Sequence, residues 1–592
     1  MYLGWTNPAG AEALARAVSN PKSGSYHHYL TPAQFRQQFA PTANQVAQVQ
    51  NWLTSQGFTL VYTPQNNHYV SAEGTIAQAQ AAFGTGFGKY HVRAVGLTLR
   101  SPSADVSIPN SLAALVSGVA GLDESYEFIR PNHVVDGNAP PSAGFRNAPP
   151  LSGYWAQYLT GVAVPPYTPP PAAPGYAFPP GFTDVALPSV PWSITGHTPT
   201  QVKGAYGISG FTGTGQTVAI IDAYASPTIL QDANHWSTNR GIPQFGTTGG
   251  GTFTQVVPPG VYHHPESRKQ DPQGWYGEET LDVESVHGMA PDANVVYVGA
   301  PNNFQDLDAA MNHVVDHQLA QIVSNSYGFL GEDVPNGFVK PLNDTFIQAA
   351  IEGIGIYFSS GDSGDETINL GFASPDWPAS SPWVTAVGGT SLGVSSTNTR
   401  VIETGWGTST YSCNQSTLVC NRTGWLYGAG GGVSAIFAEP QYQIDAGLTF
   451  TGRGVPDVAA LADPNAGYLI GQTQTFPHTC HGVGGASYDE YRIGGTSLSC
   501  PIVAGIMALS DQKAGFAHGF ANPFFYGGTV SYYDVGSIKT AVARRNFANG
   551  VDDCNGTADR LRTFNDYSGS PTQATGTGWD NVTGWGVFNG IP

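Results

Sequence analysis

The sequence predicts an α/β protein, a mostly parallel sheet sandwiched by helices, preceded by a smaller α+β unit. Three observations lead there. Short apolar runs recur at Thr217–Ile221, Val295–Val298, Ile322–Ser324 and Ile354–Ser359, with helix-like stretches between them. Strands alternating with helices imply a parallel sheet covered on both faces. Residues 131–192 hold 15 Pro around the run TPPPAAPGYAFPPG, a composition that is extended and exposed and cannot carry a sheet. Ahead of it, the texture is that of a compact unit with its own helices.

In chain order, Val46, Val49, Trp52 and Leu53 recur at helical spacing, and Gly57 ends that helix. Phe58–Tyr62 reads as a strand and Ala72–Phe83 as an Ala/Gln-rich helix. The expected domains are residues 1–129, a Pro-rich linker with a processing site at 130–195, and a large domain at 196–592. Functional residues in open parallel sheets gather at the carboxyl ends of the strands. No repeat of fixed period is visible, which argues against a solenoid or propeller.

Composition narrows the function. The chain of 592 residues carries 23 Lys+Arg against 42 Asp+Glu, a formal net charge of −19. All of that excess falls after residue 195. Acidity and scarce Lys argue against nucleic acid or an anionic membrane as partner. No apolar run approaches the ~20 residues of a membrane span, and MYLGWTNPAG lacks the regions of a signal peptide. Few basic groups also mean modest self-repulsion at low pH. Five cysteines (413, 420, 480, 500, 554) are too few for a disulfide scaffold and show no paired C-x-x-C pattern. Cys413 and Cys420 are near enough in sequence to close a small loop, and an odd count leaves one thiol over.

Three motifs bear chemistry. Gly494-Gly495-Thr496-Ser497 opens the helix-like run after Pro501, so Ser497 lies at a helix N-terminus, where unpaired N–H groups favour a developing negative charge. That suits a nucleophile beside an oxyanion site, although a Ser/Thr N-cap has the same appearance. Glu278 and Asp282 are i, i+4 on a stretch that reads as a helix, so their carboxyl groups share a face. Carboxylates in contact cannot both ionise cheaply, and such a pair is a base matched to acidic media; a solvated acidic face is the plainer alternative. Asp362, in SGDSG after the run IGIYFS, is an acid at a glycine-flanked strand end, suited to a cleft or to an Asx-turn. His287 invites a Ser-His-Asp reading, though a single His in VHGMAP is more often a packed residue. The HH pairs at 27–28 and 263–264 have no metal spacing around them.

These motifs, in the order E-x-x-x-D, SGDSG, GGTS-x-x-x-P, resemble the sedolisin, or serine-carboxyl peptidase, family in its pro-kumamolisin-like form. SNSYG (324–328), PASSPWVTAVGGT (378–390) and GGGVS (430–434) add to the resemblance. SYHHYLTPAQF, FAPT and the Trp52 helix look like the family's activation propeptide, and TPTQVKGAYGI (198–208) like the start of its mature enzyme. The resemblance implies a subtilisin-like sheet behind an α+β, ferredoxin-like propeptide. It implies Ser497 as nucleophile, Glu278 as general base and acid, Asp282 as its orienting carboxylate, and Asp362 as a protonated oxyanion-hole acid. Asp222 and Tyr327 stand where some members place Glu and Trp in an extended proton network. One Ca²⁺ is implied at Asp534, Val535, Gly576, Gly578 and Asp580; two carboxylates with backbone carbonyls suit a hard cation. The insertion 536–575 separates the two halves of that site. The expectation is therefore a secreted, monomeric, acid-active endopeptidase made as a zymogen, with protein or peptide substrates and its own propeptide as intramolecular inhibitor and folding aid. Its rivals are a tripeptidyl-peptidase of the same family, a His287-based hydrolase, and a non-catalytic secreted binding module.

Overall fold

The computed structural model describes residues 1–93, 96–124, 129–135, 196–260, 272–303, 305–334, 336–394, 397–413, 420–464, 467–475, 486–536, 542–546 and 560–592. Its centre is a ten-stranded sheet. Eight strands run parallel in the order Phe253–Val256, Asn294–Ala300, Thr217–Ala223, Ile322–Asn325, Gly355–Ser359, Thr385–Val394, Val458–Leu461 and Val587–Phe588. Tyr532–Tyr533 closes one edge antiparallel, and Arg400–Gly405 pairs antiparallel with Thr385–Val394. All four predicted apolar runs are in this sheet. Their β-branched residues, Val218, Ile220, Ile221, Val295, Val298, Val323 and Ile356, are almost wholly buried, as strands covered on both faces require.

Two helices matter most for function. Pro272–Met289, carrying Glu278 and Asp282, packs against Thr496–Ala514, carrying Ser497. They approach closely at Gly505, where a Cβ would come within 2.7 Å of Met289 Cβ. The helices Gln305–Asp316 and Asn336–Ile351 pack on each other and receive the N-terminal unit.

That unit contains the predicted Trp52 helix as Ala43–Ser55, followed by Gly57 at φ +86° and the strand Thr59–Tyr62. Ala72 is not helical. Ser71–Glu73 is a strand paired with Thr59–Tyr62, and the helix begins only at Ile76. The Thr75 side chain accepts from Gln78 N while Thr75 N donates to Gln78 Oε1, and this reciprocal cap fixes the start. The unit docks through buried polar contacts: Trp5 Nε1 donates to Asp344 O (3.1 Å), Arg36 pairs with Asp316 (2.8 Å), and Asn66 Nδ2 donates to Asn312 Oδ1 and Gln348 Oε1.

Most of the Pro-rich segment, 136–195, lies outside the described residues, as do the 263–264 pair, Cys480 and Cys554. Cys413 and Cys420 stand opposite each other at the ends of the antiparallel strands Gly407–Cys413 and Cys420–Gly428. Cys500 is a buried free thiol.

Candidate active site

Four chain segments meet at the carboxyl ends of the central strands. Asp222 is the penultimate residue of the strand Thr217–Ala223, Ser326 follows Ile322–Asn325, and Asp362 follows Gly355–Ser359 by three residues. Ser497 stands at the second position of its helix. The residue before that helix, Gly495, has φ +119°, and a Cβ there would lie 2.3 Å from Asn132 O and 2.7 Å from Asp362 Oδ2. Only glycine leaves room for both oxygens.

Ser326 ties the Glu278 helix to Ser497. Its hydroxyl donates to Asp282 Oδ1 (2.8 Å) and contacts Ser497 O (3.3 Å), while Ser497 Oγ donates to Ser326 O (3.1 Å). Ser497, Glu278, Asp282 and Asp222 are all fully buried. Among the described residues, Asp222 has no hydrogen-bond partner on either carboxyl oxygen, and Asp282 Oδ2 and Glu278 Oε1 have none. Burial first, then the neighbouring acids, pushes the Asp222 and Asp282 carboxyls well above the usual range; the Ser326 hydroxyl only partly offsets this at Asp282.

Asp362 Oδ1 accepts from Thr496 N (2.7 Å) and Thr496 Oγ1 (2.8 Å), leaving Oδ2 against Gly495 with no partner among the described residues. Burial raises this carboxyl to about 7, although the two Thr496 bonds pull it down. At acid pH it therefore carries a proton and has a donor to offer.

His287 is elsewhere. Nine residues after Glu278, it lies roughly 13 Å along the helix and on the opposite side. Its Nε2 contacts Pro243 O at 2.8 Å, its ring stacks on Phe245, and burial lowers it to about 4. Tyr327 is buried against Phe358 and Trp275, and burial first raises its hydroxyl well above the usual range.

Sequence reasoning missed the residues that line the cleft from the N-terminal side. Ile129–Pro131 pairs antiparallel with Tyr327–Phe329, and Val134–Val135 pairs antiparallel with the end of Ala486–Gly494. Between them, Asn132 O accepts from Ser497 N (2.9 Å), Asn132 N donates to Ser326 O (2.9 Å), and Asn132 Nδ2 donates to Ser359 Oγ (2.9 Å). His133 Nδ1 sits on Glu278 Oε2. Ser326 shows in the sequence only as part of SNSYG and Ser359 not at all, since their partners are 44 and 227 residues away.

At the C-terminus, Asp534 Oδ2 accepts from Gly578 N (2.8 Å), bringing both halves of the anticipated cation site together across the insertion. Asp580 accepts from Gly576 N, Val582 N, Thr583 N and Thr583 Oγ1 at 2.8–3.1 Å. The donor set, two carboxyls amid backbone of a surface loop, fits a hard cation, provided one weak bond such as Gly576 N to Asp580 (3.1 Å) gives way.

A parallel sheet of this topology, with a serine at a helix N-terminus beside a buried acid cluster, is the framework of a serine-type peptidase. Residues 1–125 match the pro-kumamolisin activation domain, and 269–586, more than half of the chain, match the subtilase family. The chain belongs to the subtilase family, in its sedolisin group, as a peptidase domain behind an activation domain. It is 28% identical to sedolisin of Pseudomonas sp. (strain 101) over 98% of this chain and 84% of that protein. It is also 28% identical to kumamolisin of Bacillus sp. (strain MN-32), over 83% of this chain and 72% of the relative, and 23% identical to tripeptidyl-peptidase 1 of Canis lupus familiaris, over 97% and 87%. Among solved structures, Pseudomonas sedolisin, a serine-carboxyl proteinase complexed with pseudo-iodotyrostatin, aligns with TM-score 0.50 at 27% identity, over 67% of this chain and 96% of that one.

Proposed function

We propose that this chain is an acid-active serine-carboxyl endopeptidase, secreted as a monomeric zymogen, that hydrolyses protein and peptide substrates. The carrying observation is a backbone carbonyl, Asn132 O, held by the Ser497 N–H beside the free oxygen of Asp362. In this reading Ser497 Oγ attacks the scissile carbonyl carbon and Glu278 takes its proton. Asp282, tied to Ser326, orients Glu278. The Ser497 N–H and the protonated Asp362 donate to the oxyanion in a buried setting, where such bonds count most. Glu278 then returns the proton to the leaving amine, and water attacking the acyl ester repeats the cycle.

Endopeptidase action is favoured over tripeptidyl-peptidase action because residues on both sides of Asn132–His133 pair with strand edges, so a chain passes through the cleft. In the C-terminal loop, Asp534, Asp580 and the carbonyls of Val535, Gly576 and Gly578 hold Ca²⁺ as a structural ion that steadies the loop. Secretion fits the zymogen reading, and among the described residues no helix is long and apolar enough to cross a membrane. Casein digestion at pH 4 is the test: wild type releases long internal peptides. Release of tripeptides alone would overturn endopeptidase action, and no release by the processed protein would overturn the peptidase mechanism.

A further inference from the structure

Residues 129–135 lie in the cleft as a substrate does, and the contacts identify the bond presented to the nucleophile. A peptide held for acyl transfer needs its scissile carbonyl on the oxyanion donors, its chain aligned with a strand edge on each side, and its next residue toward the general base. Asn132 O rests on the Ser497 N–H at 2.9 Å, and Asn132 N donates to Ser326 O, the same oxygen that accepts from Ser497 Oγ. On the amino side, Arg130 registers opposite Gly328; on the carboxyl side, Val134 registers opposite Gly494. The following side chain, His133, is on Glu278. The Asn132 side chain is buried, its amide donating to Ser359 Oγ and lying 3.4 Å from where a Gly328 Cβ would be.

We propose that Asn132–His133 is the first bond this peptidase cuts in its own chain, and that its principal specificity pocket, floored by Ser359 and Gly328, takes a small polar side chain. The inference rests on the peptidase reading above. In the step, Ser497 Oγ bonds to the Asn132 carbonyl carbon as its proton passes to Glu278. The Asn132–His133 C–N bond then breaks, and the proton moves from Glu278 to the freed amine of His133. Water cleaves the ester, leaving a carboxylate on Asn132 and restoring Ser497. The uncut chain is held short of this reaction. His133 occupies Glu278 Oε2, and the Ser497 hydroxyl donates to Ser326 O rather than to Glu278. Cutting begins when the hydroxyl turns toward Glu278 Oε1, which has no partner among the described residues.

The experiment is a time course of the full chain brought to pH 4, quenched early and read by intact mass and terminal sequencing. A synthetic peptide of residues 127–137 is digested in parallel with pre-activated enzyme. The earliest N-terminal fragment is expected to end at Asn132, its complement to start at His133, and the peptide to be cut at the same bond. Reading the carboxyl end of the released fragment avoids confusion from later trimming after residue 133. A first fragment ending anywhere else, from a sample that digests casein, overturns the bond assignment and leaves the peptidase reading standing. An intact peptide in that same active sample also overturns the assignment. A Ser497→Ala chain cut at Asn132–His133 as fast as wild type overturns both.

Discussion

The acids around Ser497 and the acids of the C-terminal loop are the same chemical group held in opposite ways. Asp580 accepts four hydrogen bonds, about all that a carboxylate offers. Asp222, more deeply buried, accepts none from the described residues, and Asp282 has one oxygen without a partner among them. Burial raises all of them, Asp580 to about 6 and Asp222 and Asp282 well above the usual range. A saturated carboxylate fastens a loop; an unsaturated buried one keeps a proton ready to move. Removing an acid from each region therefore has different consequences.

The largest effect belongs to the nucleophile. Ser497→Ala is expected to lose activity on the order of 10⁶-fold, the scale measured when a histidine-assisted serine peptidase loses its nucleophile, and to remain full length at pH 4. Rapid maturation of a pure Ser497→Ala sample would break the assignment.

Asp362 comes next. Asp362→Ala removes an oxyanion donor, which costs roughly 10²–10³ in kcat. Asp362→Asn, nearly isosteric and a donor at any pH, is expected to lose less and to extend activity toward neutral pH. Equal losses in the two variants would remove the protonated-acid role. The same residue affects stability. Burial raises its folded carboxyl from the ordinary 3.8 to about 7. Its contribution is therefore fully present below 3.8 and is lost as pH rises through 7. Melting of a Ser497→Ala precursor background should show a shallower decline over that window once Asp362 is Asn.

The smallest effect on chemistry is at the loop. Asp580→Ala strands the N–H groups of Gly576, Val582 and Thr583, each buried donor left unpaired costing about 1–3 kcal/mol. The melting temperature should fall, and its rise with Ca²⁺, worth about 2.7 kcal/mol at 100-fold over Kd in wild type, should vanish. Activity of the remaining folded enzyme should stay near wild type. An unchanged calcium response would refute the ligand set.

How far the sequence revealed this arrangement depended on the distance over which each signal acts. Strand runs such as Thr217–Ile221 were legible because two-sided burial demands unbroken apolar residues. Glu278 and Asp282 were legible because one helix turn brings them together, and Gly495–Ser497 because the turn needs its glycine. The helix expected over Ala72–Phe83 begins later, at Ile76: alanine favours helix, but Ala72 is claimed by a strand partner, and the Thr75–Gln78 cap marks the true start. Asn132, His133, Ser326 and Ser359 were not legible as a site. Their roles come from contacts between segments 44 to 365 residues apart, which no local spacing encodes.

The most direct measurement of the central claim is the full pH–rate profile of pre-activated wild type on one peptide substrate, alongside Asp362→Asn. The coupled acids titrate as a group, so whole profiles rather than single values are compared. The expected profile is greatest in acid and falls as pH rises through about 7, where Asp362 loses its proton and its donor, with the Asn variant falling later. Wild-type activity that peaks above pH 7 would contradict the account.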